Sequence, residues 1–441
     1  MLLKSKLRAA AAGAEPGSAP FRKFAALCAA GAAVLALGLG ACSTMGGMGG
    51  GSAQPDVSSI EPGDPVALGF DPDAIAEARA SLQQSIDDGK ISGGILVAGR
   101  NGQAAIVEML GTQGPDDDRP MDEHTLFRVY SMSKLIVSVA LMDMVEDGLV
   151  DIDDPVSDYL PEHANLTVIT EDGGTRPAET VMTIRHLLTH TSGLIYNFIQ
   201  PDTALGEIYL EAGTTRRDIP TREFAALLAS LPLANDPGAG FNYSHSTDVL
   251  GALMEVVEGK DLQSILDARV LDPLGMDETS FFVAPENADL VAQPIYGDMH
   301  DPLIVEPFQS GGGGLMSSTE DYLRFTLMLA GSGEYRGARV LEPETLEAMY
   351  EDQLVEGVSR DNFFYRQAGG WGLGFALQPI SFGDPNSPTT KGWQGVGGTV
   401  TWVDPASDIF ALYMIQARGA PGGTGFNVRG AVYDAYVGDE E

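Results

Sequence analysis

Two pairs of strands, one near each end of the chain, constrain the fold more than any other feature of the sequence. The segment GGILVAGRNGQAAIVEMLG (93–111) has two apolar runs joined by Asn-Gly, a dipeptide typical of tight hairpin turns. The segment GTVTWVDPASDIFALYMIQAR (398–418) repeats this pattern around an Asp-Pro turn. The segment between them, about 134 to 330, is mostly helical in its periodicity. This arrangement predicts an α+β fold in which one antiparallel sheet joins the two termini.

Helices are expected on both sides of these strands. The segment DPDAIAEARASLQQSIDDG (71–89) has apolar residues at helical spacing after an Asp start. The segment NVRGAVYDAYV (427–437) is amphipathic and predicts a C-terminal helix. The sheet is therefore expected to be flanked by helices, with a large helical region in the middle of the chain.

The N-terminus has the pattern of an export signal. Basic residues precede a short apolar stretch rich in Ala and Gly, which is too short to favour a permanent membrane span. It ends in LGAC (Leu39 to Cys42), which resembles a bacterial lipobox. That resemblance implies that residues 1–41 are a signal peptide of the lipoprotein type and that Cys42 carries a lipid. An ordinary signal peptide is the alternative.

The rest of the chain is expected to form a linker and one domain. Residues 42–65 are rich in Gly, Ser and Pro, a composition typical of a flexible linker. Residues 66–441 are then the folded domain, with a helical subdomain at about 138–300. We expect this domain to be exported and anchored by lipid on the periplasmic side, with the outer membrane favoured. Nothing in the sequence indicates an oligomeric state.

Charge and cysteine content exclude several functions. The formal net charge of −36 argues against nucleic acid as a partner, because a phosphate backbone would be repelled. Only Cys28 and Cys42 occur, so the domain has no thiol nucleophile, disulfide or thiolate metal site. His186 and His190 are four residues apart without a carboxylate partner and are interpreted as structural. The sequence therefore predicts no metal and no cofactor.

The segment RVYSMSKLIVSVALMDMV (128–145) places polar residues at the start of an apolar helix. Ser131 could be only a helix cap. However, residues three apart share one helix face, so Ser131 and Lys134 would project together. A lysine whose pKa is lowered by burial could take the serine proton, and N–H groups at the helix start would favour a developing negative oxygen. The two residues alone leave both interpretations open.

Two further segments favour chemistry at this helix start. Tyr243, in FNYSHSTDVLGALMEVV (241–257), precedes another apolar helix, and a tyrosine beside a lysine can share its proton. The glycines of KGWQGVGGTVTWVDP (391–405) would allow close backbone approach to a substrate.

Together these motifs resemble the serine β-lactamase and penicillin-binding-protein superfamily, in particular its class C-like branch. YSMSK, YSH before STDVLG, and GWQGVGG before TVTWVDP occur in the order used by that superfamily, over roughly residues 66 to 438. The resemblance implies that Ser131 is the acylated nucleophile, Lys134 its base partner and Tyr243 a second acid/base residue. It also implies an oxyanion hole formed by the backbone N–H groups of Ser131 and Val396. Ser133 has no such role and is interpreted as a helix-start residue.

The chain departs from the β-lactamase pattern at two motifs. His245 stands where the tyrosine motif has Asn, and Trp393-Gln394-Gly395 stands where the closing strand has Lys-Thr-Gly. Without that lysine, the cation that would bind a penicillin-type carboxylate is missing, and Trp393 offers an apolar wall. With a Trp at this place, the chain resembles the esterase branch of the superfamily, the family VIII carboxylesterases. The resemblance implies that His245, Trp393, Gln394 and Gly395 bind substrate, and Lys391 could still reach the site.

Three functions remain after these comparisons of motifs. A serine hydrolase acting through an acyl-enzyme, most simply an esterase on small or apolar esters, is favoured by the missing Lys-Thr-Gly. A β-lactamase or D-Ala-type peptidase, acting on an amide, is the alternative. A non-catalytic envelope protein of the same fold is the third. The chain contains no Gly-x-Ser-x-Gly, which argues against an α/β-hydrolase.

Overall fold

The computed structural model describes residues 60–365, 369–380, 387–420 and 423–438. The predicted signal peptide, Cys42 and the linker up to residue 59 lie outside these residues, so the domain boundaries and the anchor stay predictions. In the described part of the chain, no helix combines the length and apolar character that a membrane crossing requires. Gly63 already belongs to the folded domain, because its N–H donates to the Ala104 carbonyl at 2.7 Å.

One eight-stranded antiparallel sheet connects the two ends of the described chain, as predicted. Its order is β10-β11-β12-β13-β14-β1-β2-β3, so the N-terminal hairpin pairs with the last C-terminal strand. The hairpin turns at Asn101 and Gly102, both with positive φ (54° and 74°), which is the conformation that Asn-Gly favours. The strands of this sheet are β1 Gly93–Arg100, β2 Gln103–Gly114, β3 Asp117–Pro120, β10 Gly370–Trp371, β11 Ala376–Pro379, β12 Thr389–Gln394, β13 Val400–Asp404 and β14 Ile409–Ile415.

Three two-stranded sheets lie outside the main sheet in the described residues. They pair β4 Leu126–Arg128 with β7 Met316–Ser318, β5 Thr167–Ile169 with β6 Thr175–Pro177, and β8 Glu334–Tyr335 with β9 Ala338–Arg339. The first of these pairs leads directly into the YSMSK segment, because β4 ends at Arg128.

Helices cover both faces of the main sheet. The N-terminal helix begins after Asp71, whose side chain accepts from the Asp73 N–H and caps it, and it packs on the C-terminal helix. Trp402 and the apolar residues of both helices belong to the core on that face. On the opposite face, Thr401 contacts a later helix through a 2.9 Å hydrogen bond to Thr326. The helices are α1 Pro72–Asp87, α2 Ser133–Glu146, α3 Ile184–Leu188, α4 Ala204–Glu211, α5 Thr221–Ala229, α6 Ser246–Glu258, α7 Leu262–Leu266, α8 Asp272–Leu274, α9 Thr319–Ala330, α10 Pro343–Met349 and α11 Val428–Ala435.

Helix α2 is the central element of the helical region. Residues 132–142 are all buried, in agreement with a helix that is apolar on nearly every side. It contacts α6 and α7, the helices that follow the tyrosine motif. Because α2 is enclosed by other elements, the residues at its N-terminus have a rigid support.

Candidate active site

A short turn, and not the first turn of an α-helix, carries Ser131. Residues Tyr130–Met132 form a 3-10 turn, and α2 begins at Ser133. Tyr130 has a φ of 46°, which is rare for an aromatic residue and marks local strain. The turn is held from behind, because the Ser133 hydroxyl accepts from the Leu315 N–H at 3.1 Å and the Tyr322 hydroxyl donates to the Met132 carbonyl at 2.9 Å. Ser133 is therefore placed as a structural residue.

Lys134 lies directly beside the Ser131 hydroxyl. Its Nζ is 3.3 Å from Ser131 Oγ and 3.1 Å from the hydroxyl of Tyr196, and it also donates to the Gly312 carbonyl. Burial lowers the pKa of the Lys134 amine to about 7, although the charge of Asp248 opposes that shift. An amine with this pKa is partly neutral at physiological pH and can accept the serine proton.

Tyr243 completes the group that the motifs predicted. Its ring centre lies 4.8 Å from Lys134 Nζ, and its hydroxyl lies near the Ser131 side chain. Trp393 Nε1 donates to the same hydroxyl at 2.7 Å. Burial raises the pKa of Tyr243, while the nearby Ser131 side chain and the hydrogen bond with Trp393 oppose this rise. The structure thus brings Ser131, Lys134 and Tyr243 together from three separate segments.

The end of strand β12 approaches the turn that carries Ser131. A Cβ atom at Gly395 would lie 2.4 Å from Thr399 Oγ1 and 2.5 Å from the Val129 carbonyl oxygen, so only glycine fits. This close approach brings Val396 and Ser131 to the wall of the same cavity. Their backbone N–H groups as an oxyanion hole stay a prediction.

A cavity of about 530 Å³ opens in front of Ser131, and eight Phe, Tyr and Trp side chains line it. Phe364 packs against both Tyr243 and Trp393, with its ring centre 5.5 Å from each of theirs. Trp371 is fully buried behind Trp393, and its Nε1 donates to the Leu188 carbonyl at 3.1 Å. Such a wall suits apolar acyl or alcohol groups.

His245 lines the cavity, and its hydrogen bond is to another residue of the protein. Its Nδ1 is 2.8 Å from Asp248 Oδ2, and its Nε2 is buried without a partner in the described residues. Asp248 Oδ1 accepts from Ser310 Oγ at 2.6 Å and from the Gly312 N–H at 2.9 Å. Burial works to raise the pKa of Asp248, but these hydrogen bonds and the charge of Lys134 outweigh it and hold the pKa below its usual value.

Sequence reasoning missed Asp248 and Tyr196. Asp248 connects to the reacting group through one residue, because the Gly312 N–H donates to Asp248 and the Gly312 carbonyl accepts from Lys134. The only local signal for Asp248 was its position three residues after His245. Burial raises the pKa of Tyr196 well above its usual value, so its hydroxyl is a neutral partner of the Lys134 amine.

The remaining predicted contacts divide into two groups. Trp393, Gln394 and Gly395 all line the cavity. Lys391 does not line it, and its Nζ donates instead to the Thr389 carbonyl at 2.8 Å. Lys391 therefore does not replace the missing lysine of the third motif. Among the described residues there is no group of three or more His, Cys, Asp or Glu side chains that could hold a metal.

Comparison with protein families identifies the chain's relatives. The family described as Beta-lactamase matches residues 78–429, which is most of the chain. The chain belongs to the beta-lactamase family. Together with the esterase relatives below, this membership makes the chain a serine hydrolase and confirms the resemblance found in its motifs.

Three relatives show which part of the family this chain is similar to. Esterase EstB of Burkholderia gladioli is 31% identical over 409 residues, which cover 84% of this chain and 98% of EstB. The structure of EstCE1, a hydrolase with promiscuous acyltransferase activity, is 27% identical with a TM-score of 0.69 and covers 82% of this chain and 99% of its own. The simvastatin synthase LovD of Aspergillus terreus, in its LovD9 mutant form, also has a TM-score of 0.69, at 22% identity over 82% of this chain and 98% of its own, and shows a common fold.

Proposed function

We propose that the chain is a carboxylesterase that hydrolyses esters with an apolar acyl or alcohol group through an acyl-enzyme on Ser131. The observation that carries this proposal is the buried Lys134 amine, 3.3 Å from Ser131 Oγ. Burial lowers the pKa of this amine to about 7, so a base is available at neutral pH. The relationship to EstB and EstCE1 supports an ester as the substrate.

The first step of this reaction forms the acyl-enzyme. Ser131 Oγ attacks the ester carbonyl carbon while its proton passes to Lys134 Nζ. The carbonyl oxygen becomes an oxyanion, which the N–H groups of Ser131 and Val396 stabilise. The C–O bond to the alcohol then breaks, and the alcohol leaves with a proton delivered by Tyr243, which the protonated Lys134 amine replenishes.

The second step returns the enzyme to its starting state. A water molecule attacks the acyl carbon and gives its proton to the Tyr243–Lys134 pair. The bond between the acyl carbon and Ser131 Oγ breaks, and Oγ recovers a proton as the carboxylic acid leaves. Trp393 holds the Tyr243 hydroxyl through its Nε1 hydrogen bond during both steps.

The wall of the cavity supports esters over β-lactams or D-Ala peptides. Those substrates carry a carboxylate that the Lys-Thr-Gly lysine binds in the β-lactamase pattern, and this chain has Trp393 at that place. Lys391, two residues earlier, is bound to Thr389. The aromatic contacts of Trp393 with Tyr243 and Phe364 instead favour an apolar group.

We also propose that the enzyme is exported and anchored by a lipid on Cys42. The proposal rests on the LGAC segment and the Gly/Ser/Pro-rich residues that follow it. Labelled palmitate should be incorporated into the wild-type chain and not into Cys42→Ala, and labelling of both chains would contradict the anchor.

The esterase proposal is tested with two serine variants that differ only in position. Ser131→Ala, Ser133→Ala and wild type are offered p-nitrophenyl butyrate and a chromogenic cephalosporin. Wild type and Ser133→Ala should cleave the ester, while Ser131→Ala should lose at least about a thousandfold in kcat. Ester turnover that survives in Ser131→Ala would remove the nucleophile assignment. Rapid cephalosporin cleavage without ester turnover would show a β-lactamase instead.

A further inference from the structure

A second part of the cavity wall is basic. Arg217 and Arg418 line the same cavity as Ser131. Arg217 is partly buried and pairs with Glu306 at 2.9 Å. Arg418 is exposed, and its Nη1 donates to the Asp298 carbonyl at 3.2 Å. Within the described ranges, no carboxylate lies within ion-pair distance of Arg418, so its positive charge is open to a ligand.

A third guanidinium supports this wall from inside the protein. Arg128 is buried, and its hydrogen bonds go to neutral oxygens: the His300 carbonyl at 2.8 Å, the Ala292 carbonyl at 3.0 Å and the Gln416 amide oxygen at 3.3 Å. A buried cation that is bound only by neutral groups keeps most of its electrostatic effect on its surroundings.

The three arginines all act electrostatically on the hydroxyl of Tyr130, the residue before Ser131. Burial raises the pKa of the Tyr130 hydroxyl, and Arg128, Arg418 and Arg217 each oppose that rise. All three guanidinium groups are therefore within electrostatic range of one hydroxyl. That hydroxyl is buried and has no hydrogen-bond partner in the described residues.

The positive charge on this wall is not fully balanced. Two of the arginines that line the cavity have a carboxylate partner, Arg216 in Asp218 at 2.8 Å and Arg217 in Glu306 at 2.9 Å. Arg418 has none within ion-pair distance in the described residues. The chain as a whole has 62 acidic and 26 basic residues. In such an acidic protein, an arginine that lines the cavity of Ser131 and has no carboxylate partner among the described residues is a specific feature of the cavity.

We propose that the ester substrate carries a carboxylate, which binds Arg418 with the support of Arg217 at the mouth of the cavity. The inference rests on the proposed esterase function and names its substrate class. The arginines come from the segment after β14 and the segment between α4 and α5, and not from the strand that carries Lys-Thr-Gly in the β-lactamase pattern. The ester thus has an apolar part for the aromatic wall and an anionic part for the basic wall.

The test uses two pairs of esters that differ only in one charge. The first pair is 4-carboxyphenyl butyrate and its methyl ester, with the charge on the alcohol part. The second is mono-(4-nitrophenyl) terephthalate and its methyl ester, with the charge on the acyl part. Within each pair the ratio of kcat/KM, charged over neutral, is compared among wild type, Arg418→Gln and Arg217→Gln. Arg339→Gln, on β9 and outside the cavity, is the control for loss of one positive charge.

For one of the two pairs, the ratio should fall about tenfold in Arg418→Gln, as expected for a charge-assisted contact that is partly exposed to water. The loss should appear in KM and not in kcat, because the contact is made in the ground state as well as in the transition state. The wild-type ratio should also decrease with salt. Arg339→Gln should keep the wild-type ratio.

Ratios within about twofold of wild type in both cavity variants, for both pairs, would overturn the inference. If Ser131-dependent turnover of the neutral methyl esters continues in that case, only the carboxylate inference fails and the esterase proposal stands. Binding is measured separately by titrating the charged esters into Ser131→Ala with and without Arg418→Gln. If the two chains have equal affinity for both charged esters, the inference is also refuted, whether or not the wild type turns the esters over.

Discussion

Replacement of Asp248 by asparagine should change the pH dependence of catalysis while the site keeps its shape. Oδ1 of Asp248 accepts from Ser310 Oγ and the Gly312 N–H, and an asparagine oxygen can accept both bonds. Oδ2 lies 2.8 Å from His245 Nδ1, and an asparagine N–H can donate there once the ring proton moves to Nε2. The substitution therefore removes one negative charge with little change in packing.

The size of the effect follows from the geometry. Gly312 binds Asp248 through its N–H and Lys134 through its carbonyl, which places the two charges roughly 7 Å apart. At an effective dielectric constant of about 20, this attraction is about 2 kcal/mol, or between one and two pKa units. The charge of Asp248 raises the pKa of Lys134, so its loss should lower that pKa further below about 7.

In the proposed mechanism Lys134 must be neutral to accept the serine proton, so kcat/KM should rise as the pH passes the pKa of this amine. The acid limb of the profile should therefore move to lower pH by between about one and two units in Asp248→Asn. Three buried titratable groups near the amine do not produce this limb. Burial raises the pKa of Tyr196 and Tyr243 and lowers that of His190, so all three are neutral near pH 7.

The profile is measured with a neutral short-chain ester between about pH 5 and pH 9. Asp321→Asn is the matched control, because Asp321 is also a buried aspartate and lies outside the cavity. Its Oδ2 accepts from the Glu278 N–H at 2.7 Å and from Thr279 Oγ1 at 2.9 Å. An acid limb that stays in place in Asp248→Asn, or that moves equally in the control, would refute the coupling between Asp248 and Lys134.

Three further predictions concern contacts around and outside the site. Trp393→Phe keeps the aromatic wall but removes the 2.7 Å hydrogen bond to Tyr243. The kcat for a neutral ester should therefore fall about tenfold with little change in KM. An unchanged kcat would exclude a role for this bond. Gly395→Ala would place a Cβ atom 2.5 Å from the Val129 carbonyl oxygen. We therefore expect a large loss of kcat and a free energy of unfolding lower by about 1–3 kcal/mol. Wild-type activity in this variant would contradict the close approach. Burial raises the pKa of Asp321 to about 7, so between about pH 4 and pH 7 the native state holds a proton that the unfolded chain has lost, and stability falls as the pH rises. Asp321→Asn should therefore be more stable than wild type by about 2 kcal/mol in urea unfolding at pH 8 and not at pH 4, and equal differences at the two pH values would contradict this.

The parts of the fold that could be predicted are those with a local cause. Asn101-Gly102 adopts the positive φ angles of a two-residue turn, and Asp71 caps α1 with its own side chain. The sheet that joins the termini could be predicted from the apolar runs at both ends of the chain. Strands that are apolar on both faces must be buried in the centre of a sheet, with other elements packed on each face. β14 is indeed buried along its whole length between the helices on either face.

In the site, sequence spacing was sufficient only for the two residues that are close together in the sequence. Ser131 and Lys134 are three residues apart, so any helical backbone brings them together. Tyr243 and Val396 were placed by the order of family motifs, and no periodicity connects them to Ser131. The left-handed backbone conformation of Tyr130 could not be predicted either, because a tyrosine has no intrinsic preference for a φ of 46°. The packing of β12 against this turn accompanies that conformation.

The residues that were missed act across long separations in the chain. Tyr196 contacts Lys134 from 62 positions away, and it comes from an irregular segment whose local sequence has no catalytic pattern. Arg217 and Arg418 are about 200 residues apart, and each looks like an ordinary surface arginine until the fold places both on one cavity. A family resemblance transfers the residues of its motifs, but the charge of a cavity wall depends on which loops border it. We therefore expect selectivity for an anionic group on the substrate to depend on residues outside the motifs.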